Sequence, residues 1–270
     1  MRILFFGDIN GRIGIDSLSS LLSILIKRYE ADFVIANGEN ASSNGHGITE
    51  REYHELLEAG VDVVTLGNHW HGKRQIEDYI EYCDNLIRPL NLLHFDKGFG
   101  SAVYEVGDTA IRVTNILGTA FMREAVQSPY QAMNALLSDE EKIAIHIVDY
   151  HGESTSEKKT FAAFYDGRVS AVIGTHTHVQ TNDAYIFPKG CGFLSDVGLC
   201  GAYDSIIGSS YDSVIKRTVL GEEGFFEIPK DGREIVCFVL IEVDEESGRC
   251  VRIKPITYID GGLFDGEASV

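Results

Sequence analysis

The chain begins Met1-Arg2-Ile3-Leu4-Phe5-Phe6-Gly7-Asp8. Its apolar run, Ile3–Phe6, is far shorter than the roughly 18 residues a membrane span needs. It meets Gly7 and Asp8 too early for a signal peptide. A short apolar run closed by Gly-Asp reads instead as a buried strand that ends in a polar turn. The same unit recurs downstream. Ser17–Tyr29 carries Leu18, Leu21, Leu22, Leu25 and Ile26 at helical spacing. Asp32–Ala36 is a second strand, followed by Asn37-Gly38-Glu39-Asn40. Thr49 and Glu52 form a capping-box pattern that opens a helix ending before Gly60. Val61–Leu66 is a third strand, closed by Gly67-Asn68-His69, and Arg74–Cys83 reads as a helix. Strand and helix alternate three times, which predicts a largely parallel sheet with helices on both faces.

The middle and end of the chain add a second set of strands. Gly100–Val106 and Ala110–Leu117 pair around the turn Gly107-Asp108, and Tyr130–Leu137 is helical. Lys142–Asp149 is a strand, Ser156–Phe164 a helix and Val169–Ile173 a strand. Glu234–Val243 and Cys250–Tyr258 form an antiparallel hairpin across Asp244–Gly248. No internal repeat, low-complexity run or linker interrupts this order. The expectation is an α/β fold in a single domain over residues 1–270, with two packed mixed β-sheets flanked by helices.

Composition narrows the function classes. Lys+Arg 23 against Asp+Glu 41 gives a net charge of −18, so a sequence-independent grip on long nucleic acid is not expected. With 44% apolar and 24% charged residues, the composition is globular rather than disordered. Cys83, Cys191, Cys200, Cys237 and Cys250 are odd in number and scattered without a CxxC pair. They read as free thiols of a cytoplasmic protein, not as a disulfide scaffold or zinc knuckle. No membrane association is expected.

Polar residues collect just after the strands, where open α/β sheets build their sites. Asp8 follows the first strand, Glu39 and Asn40 the second, Asn68 and His69 the third. His151 follows the strand ending at Asp149, and His176 and His178 follow Ala171–Ile173 in Gly174-Thr175-His176-Thr177-His178. A Gly-Asp alone is a turn and an Asn-His alone a hydrogen-bonded loop. A His-x-His in a strand-like stretch places both rings on one side. Five such clusters at successive strand ends are a metal site, and carboxylate, amide and imidazole together suit Mn, Fe or Zn.

The order Gly-Asp, Gly-Glu-Asn, Gly-Asn-His, a lone His, then Gly-Thr-His-Thr-His resembles the calcineurin-like metallophosphoesterase superfamily. More narrowly, the chain is similar to the bacterial YmdB-type phosphodiesterases. Asn37–Asn40, Asp149–Lys158, Gly174–Thr181, Asp196-Val197-Gly198 and Tyr203–Gly208 also carry this resemblance, which runs from Met1 to about Asp260. It implies a dinuclear site of two divalent or trivalent ions, Fe, Mn or Zn. Asp8, Glu39, Asn40 and His178 would hold one ion. Glu39, Asn68, His151 and His176 would hold the other, with Glu39 bridging. His69 would protonate the leaving oxygen. The implied activity is hydrolysis of a small phosphodiester or nucleotide, with 2′,3′-cyclic nucleotides preferred. The same site could serve a phosphomonoesterase or phosphoprotein phosphatase, and a nucleotide-sensing regulatory protein is the non-enzyme alternative. The resemblance also implies a homo-oligomer.

Some positions depart from the superfamily pattern. Asn10 stands where many members have His, a feature YmdB-type proteins share. Trp70-His71-Gly72 replaces the usual Thr-Trp-Asp, which reshapes the rim and leaves substrate preference open. His46 reads as an exposed loop histidine. Arg12, Lys158 and Lys159 read as solvated surface, and Gly198-Leu199-Cys200-Gly201 as a structural or pocket-lining turn. Gly7, Gly11 and Gly14 do not fit a dinucleotide loop.

Overall fold

The first strand, β1 (Arg2–Ile9), has no polar face. Leu4 and Phe6 point into one apolar cluster, Ile3 and Phe5 into another. That is the period-two alternation of a strand buried on both sides. The computed structural model describes residues 1–124, 126–139 and 143–264. In it β1 is followed by α1 (Gly11–Tyr29), β2 (Phe33–Asn37), α2 (Glu50–Ala59) and β3 (Val63–Thr65). Thr49 Oγ1 accepts from the Glu52 amide (3.3 Å) while Glu52 Oε2 accepts from the Thr49 amide (2.8 Å), so the predicted capping box starts α2. Gly60, at φ 111°, ends it.

The predicted helix Arg74–Cys83 is broken into α3 (Ile76–Tyr79) and a 3₁₀ turn, Ile80–Tyr82. Next come β4 (Leu86–Ile87), β5 (Ser101–Val106), β6 (Thr109–Leu117), α4 (Pro129–Asp139), β7 (Ile145–His151), α5 (Thr155–Phe164) and β8 (Ala171–Thr175). The strand expected from Lys142 is β7; Lys142 itself lies outside the described residues, as do residues 265–270 of the expected domain. Several short elements went unpredicted: β9 (Tyr185–Ile186), β10 (Gly192–Leu194), β11 (Leu199–Ala202) and α6 (Tyr211–Thr218). The chain closes with β12 (Glu234–Val243), β13 (Cys250–Ile259) and β14 (Gly262–Phe264).

Two mixed sheets result. One has the order β14-β13-β12-β11-β1-β2-β3-β4, the other β5-β6-β7-β8-β10-β9. The stretch Gly198–Gly201, expected as a turn, contributes to β11. It is wedged between β1, with which it runs parallel, and β12, with which it runs antiparallel. Pairing on both edges makes a strand of a short Gly-containing sequence with little propensity of its own.

Val34 and Ala36, with Val236, Phe238 and Leu240, pack on Ile15, Leu18, Leu22 and Leu25 of α1. The alternate residues Phe33, Ile35, Val239 and Ile241 meet Ile111, Val113, Ile145, Ile147, Ala171 and Ile173 of the second sheet. The outer face of that sheet, Val148, Tyr150 and Val172, is covered by Met133 of α4 and by Phe161 and Ala162 of α5. The layering is helix, sheet, sheet, helix. Helices therefore cover only one face of each sheet, because the other faces bury each other, and the expectation of helices on both faces of the first sheet is corrected.

Candidate metal centre

Stacking the sheets brings the carboxyl ends of β1, β2 and β3 against those of β7 and β8. Asn37 Nδ2, at the end of β2, donates to Asp149 Oδ2 of β7 (3.0 Å), and the His176 amide after β8 donates to Asp8 Oδ2 of β1 (3.1 Å). Sequence-distant strand ends thus share one buried locus, and the candidate residues Asp8, Glu39, Asn40, Asn68, His69, His151, His176 and His178 all lie within it.

His151 is at its centre. Thr175 Oγ1 donates to Asp149 Oδ1 (2.7 Å), so its oxygen accepts from His151 Nδ1 (2.9 Å). That chain sets the imidazole proton on Nδ1 and turns Nε2 inward, as carboxylates commonly do behind metal-binding histidines. Around Nε2 lie Asn68 Oδ1 (2.9 Å), His176 Nδ1 (3.1 Å) and Glu39 Oε1 (3.3 Å). Glu39, His151 and His176 offer ligand atoms within 4.8 Å of one another.

A second set faces them. Asn40 Nδ2 donates to the Gly45 carbonyl (2.7 Å), which turns Asn40 Oδ1 toward His178 Nε2 (3.3 Å). His178 Nδ1 donates to the Ile207 carbonyl (2.8 Å), again presenting Nε2 inward. Asp8 Oδ1 is buried and accepts no hydrogen bond among the described residues; it stands 3.9 Å from both His178 Nε2 and His151 Nδ1. Converging lone pairs with an orphaned buried carboxylate oxygen fit hard-to-borderline cations. The electrostatics agree. Burial pushes the Asp8 carboxyl up to about 6. For His151 burial works the other way, but the field of Glu39, with Asp8 and Asp149, pushes its imidazole up to about 9. The carboxylates of Glu39, Asp8 and Asp149 thus set a field that favours positive charge at His151.

His176 and His178 are not on a strand. They follow β8 and adopt φ 106° and 64°, a region uncommon outside glycine. This corrects the expectation that both rings share one strand face: His176 reaches His151 while His178 reaches Asn40 and Asp8. Non-glycine residues in this region concentrate at functional sites, where surrounding contacts hold them. Here Asp196 does so, accepting from the Thr177 amide (2.9 Å) and the Gly198 amide (2.9 Å). Lys158 Nζ donates in turn to Asp196 Oδ2 (3.1 Å) and to the Thr175 carbonyl (2.8 Å).

Lys158 is fully buried, which overturns its reading as solvated surface. The signal was present, since Lys158, Phe161 and Ala162 share the buried face of α5 at i, i+3, i+4 spacing. Arg12 and Lys159 are surface residues as expected. Arg12 pairs with Asp16 and Glu55, and the Lys159 ammonium sits 5.6 Å from the Tyr185 ring centroid.

Gly67 is required by crowding: a Cβ there would stand 2.3 Å from Glu39 Oε2 and 2.4 Å from His151 Nε2. His69 lies at the opening. Its amide donates to Glu39 Oε2 (2.8 Å), and its Nδ1 faces Asn40 Nδ2 (2.8 Å), which donates to it when it is unprotonated, and Glu39 Oε1 (3.3 Å), which accepts from it when it is protonated. Burial alone would lower the His69 pKa, but its bond to Glu39 raises it. His46, exposed as expected, also sets its ring edge-on to His69 at 4.4 Å. Trp70 packs on Phe95 (4.4 Å), in the segment before β5, and His71 pairs with Glu77 of α3. All five cysteines are free and buried. Among the described residues, no helix is long and apolar enough to cross a membrane.

Comparison with known proteins finds relatives over nearly the whole chain. The chain is 37% identical over 265 residues to a 2′,3′-cyclic-nucleotide 2′-phosphodiesterase of Bacillus subtilis, covering 98% of this chain and 99% of that protein. Among solved structures, a novel phosphatase of Mycoplasma pneumoniae superposes with TM-score 0.90 at 34% identity, over 97% of this chain and 94% of that one. A hypothetical protein of Thermus thermophilus superposes with TM-score 0.88 at 38% identity, over 96% and 100%. The family model of YmdB-like proteins matches residues 4–256, and with these relatives alongside it, the chain belongs to the YmdB-like family.

Proposed function

We propose that the chain is a metal-dependent hydrolase of small phosphodiesters, with 2′,3′-cyclic nucleotides the favoured substrates. The carrying observation is the convergence of Asp8, Glu39, Asn40, Asn68, His151, His176 and His178 around two facing sets of lone pairs beside His69. Asp8, Glu39, Asn40 and His178 would hold one ion; Glu39, Asn68, His151 and His176 would hold the other, with iron, manganese and zinc all compatible. Ions bound there would lower the pKa of a water and neutralise charge on the phosphate.

The chain's own residues supply the rest. Thr175 and Asp149 keep His151 oriented, and Ile207 does so for His178. With Nδ1 of His69 occupied by Asn40 and Glu39, Nε2 is the nitrogen that delivers a proton to the leaving oxygen. The name of the Bacillus relative supports the diester choice. The Mycoplasma relative, called a phosphatase, keeps a monoesterase as the second reading.

The test is hydrolysis of bis-p-nitrophenyl phosphate by manganese-reconstituted protein. On a 2′,3′-cyclic nucleotide assayed beside it, whose leaving alkoxide needs a proton, His69→Ala should lower kcat roughly 10²–10⁴-fold, the usual worth of a general acid, and far less on the diester with its stable nitrophenolate leaving group. Full activity of the variant on the cyclic nucleotide would remove His69 from the chemistry, and faster turnover of p-nitrophenyl phosphate than of the diester would favour the monoesterase.

A further inference from the structure

A cavity of about 350 Å³ opens beside His178, lined by Val179, Gln180, Tyr203, Ser205, Ile207 and Thr257 among others. This volume falls within the about 300–1,000 Å³ range of small-ligand pockets. Val179, Tyr203 and Ile207 are exposed there, Ile207 at 55%. Ile207 is costly in two ways. A β-branched residue at φ 46° is a backbone outlier, and its side chain faces water. The turn is nevertheless fixed. The Ile207 carbonyl accepts from His178 Nδ1, the Ile206 amide donates to the Ser209 carbonyl (2.7 Å), and a Cβ on Gly208 would stand 2.7 Å from the Asn10 side chain. Tyr203 is also set in place: the Arg233 guanidinium lies 4.7 Å from its ring centroid and is itself held by Asp204 through Nε (2.8 Å).

The polar lining is already committed. Gln180 Nε2 donates to the carbonyls of Val197, Phe238 and Ile256, and its Oε1 accepts from Thr257 Oγ1 (2.8 Å). Ser205 Oγ donates to the Ala202 carbonyl (2.7 Å) and accepts from the Gly208 amide (3.0 Å). Preset apolar surfaces remain beside the engaged Gln180, Ser205 and Thr257 side chains. His178 belongs both to the metal centre, through Nε2, and to this wall, through its bond to the Ile207 carbonyl, so the cavity adjoins the centre.

We propose that this cavity seats the aromatic base of a nucleotide substrate and recognises it by its face against Val179, Tyr203 and Ile207, not by hydrogen bonds to its edge. The assignment rests on the phosphodiesterase reading. It predicts tolerance of all four bases, as expected where stacking rather than edge contact does the recognition.

The experiment compares KM for the four nucleoside 2′,3′-cyclic phosphates with KM for base-free ribose 2′,3′-cyclic phosphate, using manganese-loaded protein. The base should lower KM roughly tenfold, the scale of one base–aromatic stack, with the four bases within about threefold of one another. Ile207→Asn, which tolerates the left-handed conformation, and Tyr203→Ala should each erase most of that ratio. Equal KM for base-free and nucleotide substrates, a ratio unchanged in both variants, or strong preference for one base would overturn the proposal. If the wild type hydrolyses no diester, the hydrolase reading fails while the cavity is still tested by calorimetry. Adenosine 2′-monophosphate should then bind roughly tenfold tighter than inorganic phosphate to the manganese-loaded wild type and not to the variants. Equal affinity for the two probes in the wild type would overturn the assignment.

Discussion

Replacing Lys158 by Met tests whether a charge pair deep in the second sheet holds the His176–His178 loop in shape. The Lys158 ammonium is fully buried, and its Nζ makes two contacts, to Asp196 Oδ2 at 3.1 Å and to the Thr175 carbonyl at 2.8 Å. Methionine matches the stem but leaves the Asp196 carboxylate buried without its cation, bonded among the described residues to the Thr177 and Gly198 amides. Removing one partner of a buried pair costs about 3–5 kcal/mol. In a chain of this size that corresponds to a fall in Tm of roughly 10 °C. The neutral pair Lys158→Met with Asp196→Asn should recover a large part of the loss, since the uncompensated charge is its main source. Urea denaturation of the three variants and wild type closes the double-mutant cycle, with manganese affinity measured alongside. A loss below about 1 kcal/mol in Lys158→Met, or no recovery in the double variant, would refute the charge-pair reasoning.

Three further outcomes are expected. Thr175→Val removes the hydroxyl between Asp149 and His151, so metal affinity should fall roughly 10–100-fold by titration, and an unchanged affinity would show the relay to be idle. Gly67→Ala places a methyl 2.3 Å from Glu39 Oε2, and metal binding should be lost in protein whose circular dichroism is native; retained binding would contradict the crowding. His146 is buried, and burial followed by the nearby Arg112 drives its pKa from 6.5 down to about 3. The unfolded chain takes up that proton first, so stability is lost as pH falls from about 6.5 toward 3, by up to about 1.4 kcal/mol per pH unit. Urea denaturation at pH 7 and pH 5.5 should show a smaller acid loss in His146→Gln than in wild type, and equal losses would exclude this histidine as a source.

Local rules placed most of the framework. Ile3–Phe6, Val63–Thr65 and Ala171–Ile173 are apolar runs that make sense only as strands, and the Thr49–Glu52 capping box marks its helix directly. Polar residues immediately after those strands pointed to the site, because strand ends are where the chain leaves the sheet and can turn side chains together. Short elements such as β10 and β11 escaped the sequence, since three or four residues become strand only through neighbours on both edges. For Lys158 the spacing with Phe161 and Ala162 marks a buried helix position, but the carboxylate that balances its charge, Asp196 of a distant loop, comes only from the fold.

The residue types of the centre and the strand–helix order are therefore local properties, written in periodicity and in the turns that follow each apolar run. Which sheet faces which, the opposite reach of His176 and His178, and the relay through Thr175 to Asp149 come from packing. Each depends on contacts between positions more than twenty residues apart, set by burying the alternate faces of β1, β2 and β12 against β6, β7 and β8, a constraint that acts on the assembled sheets and on no single segment.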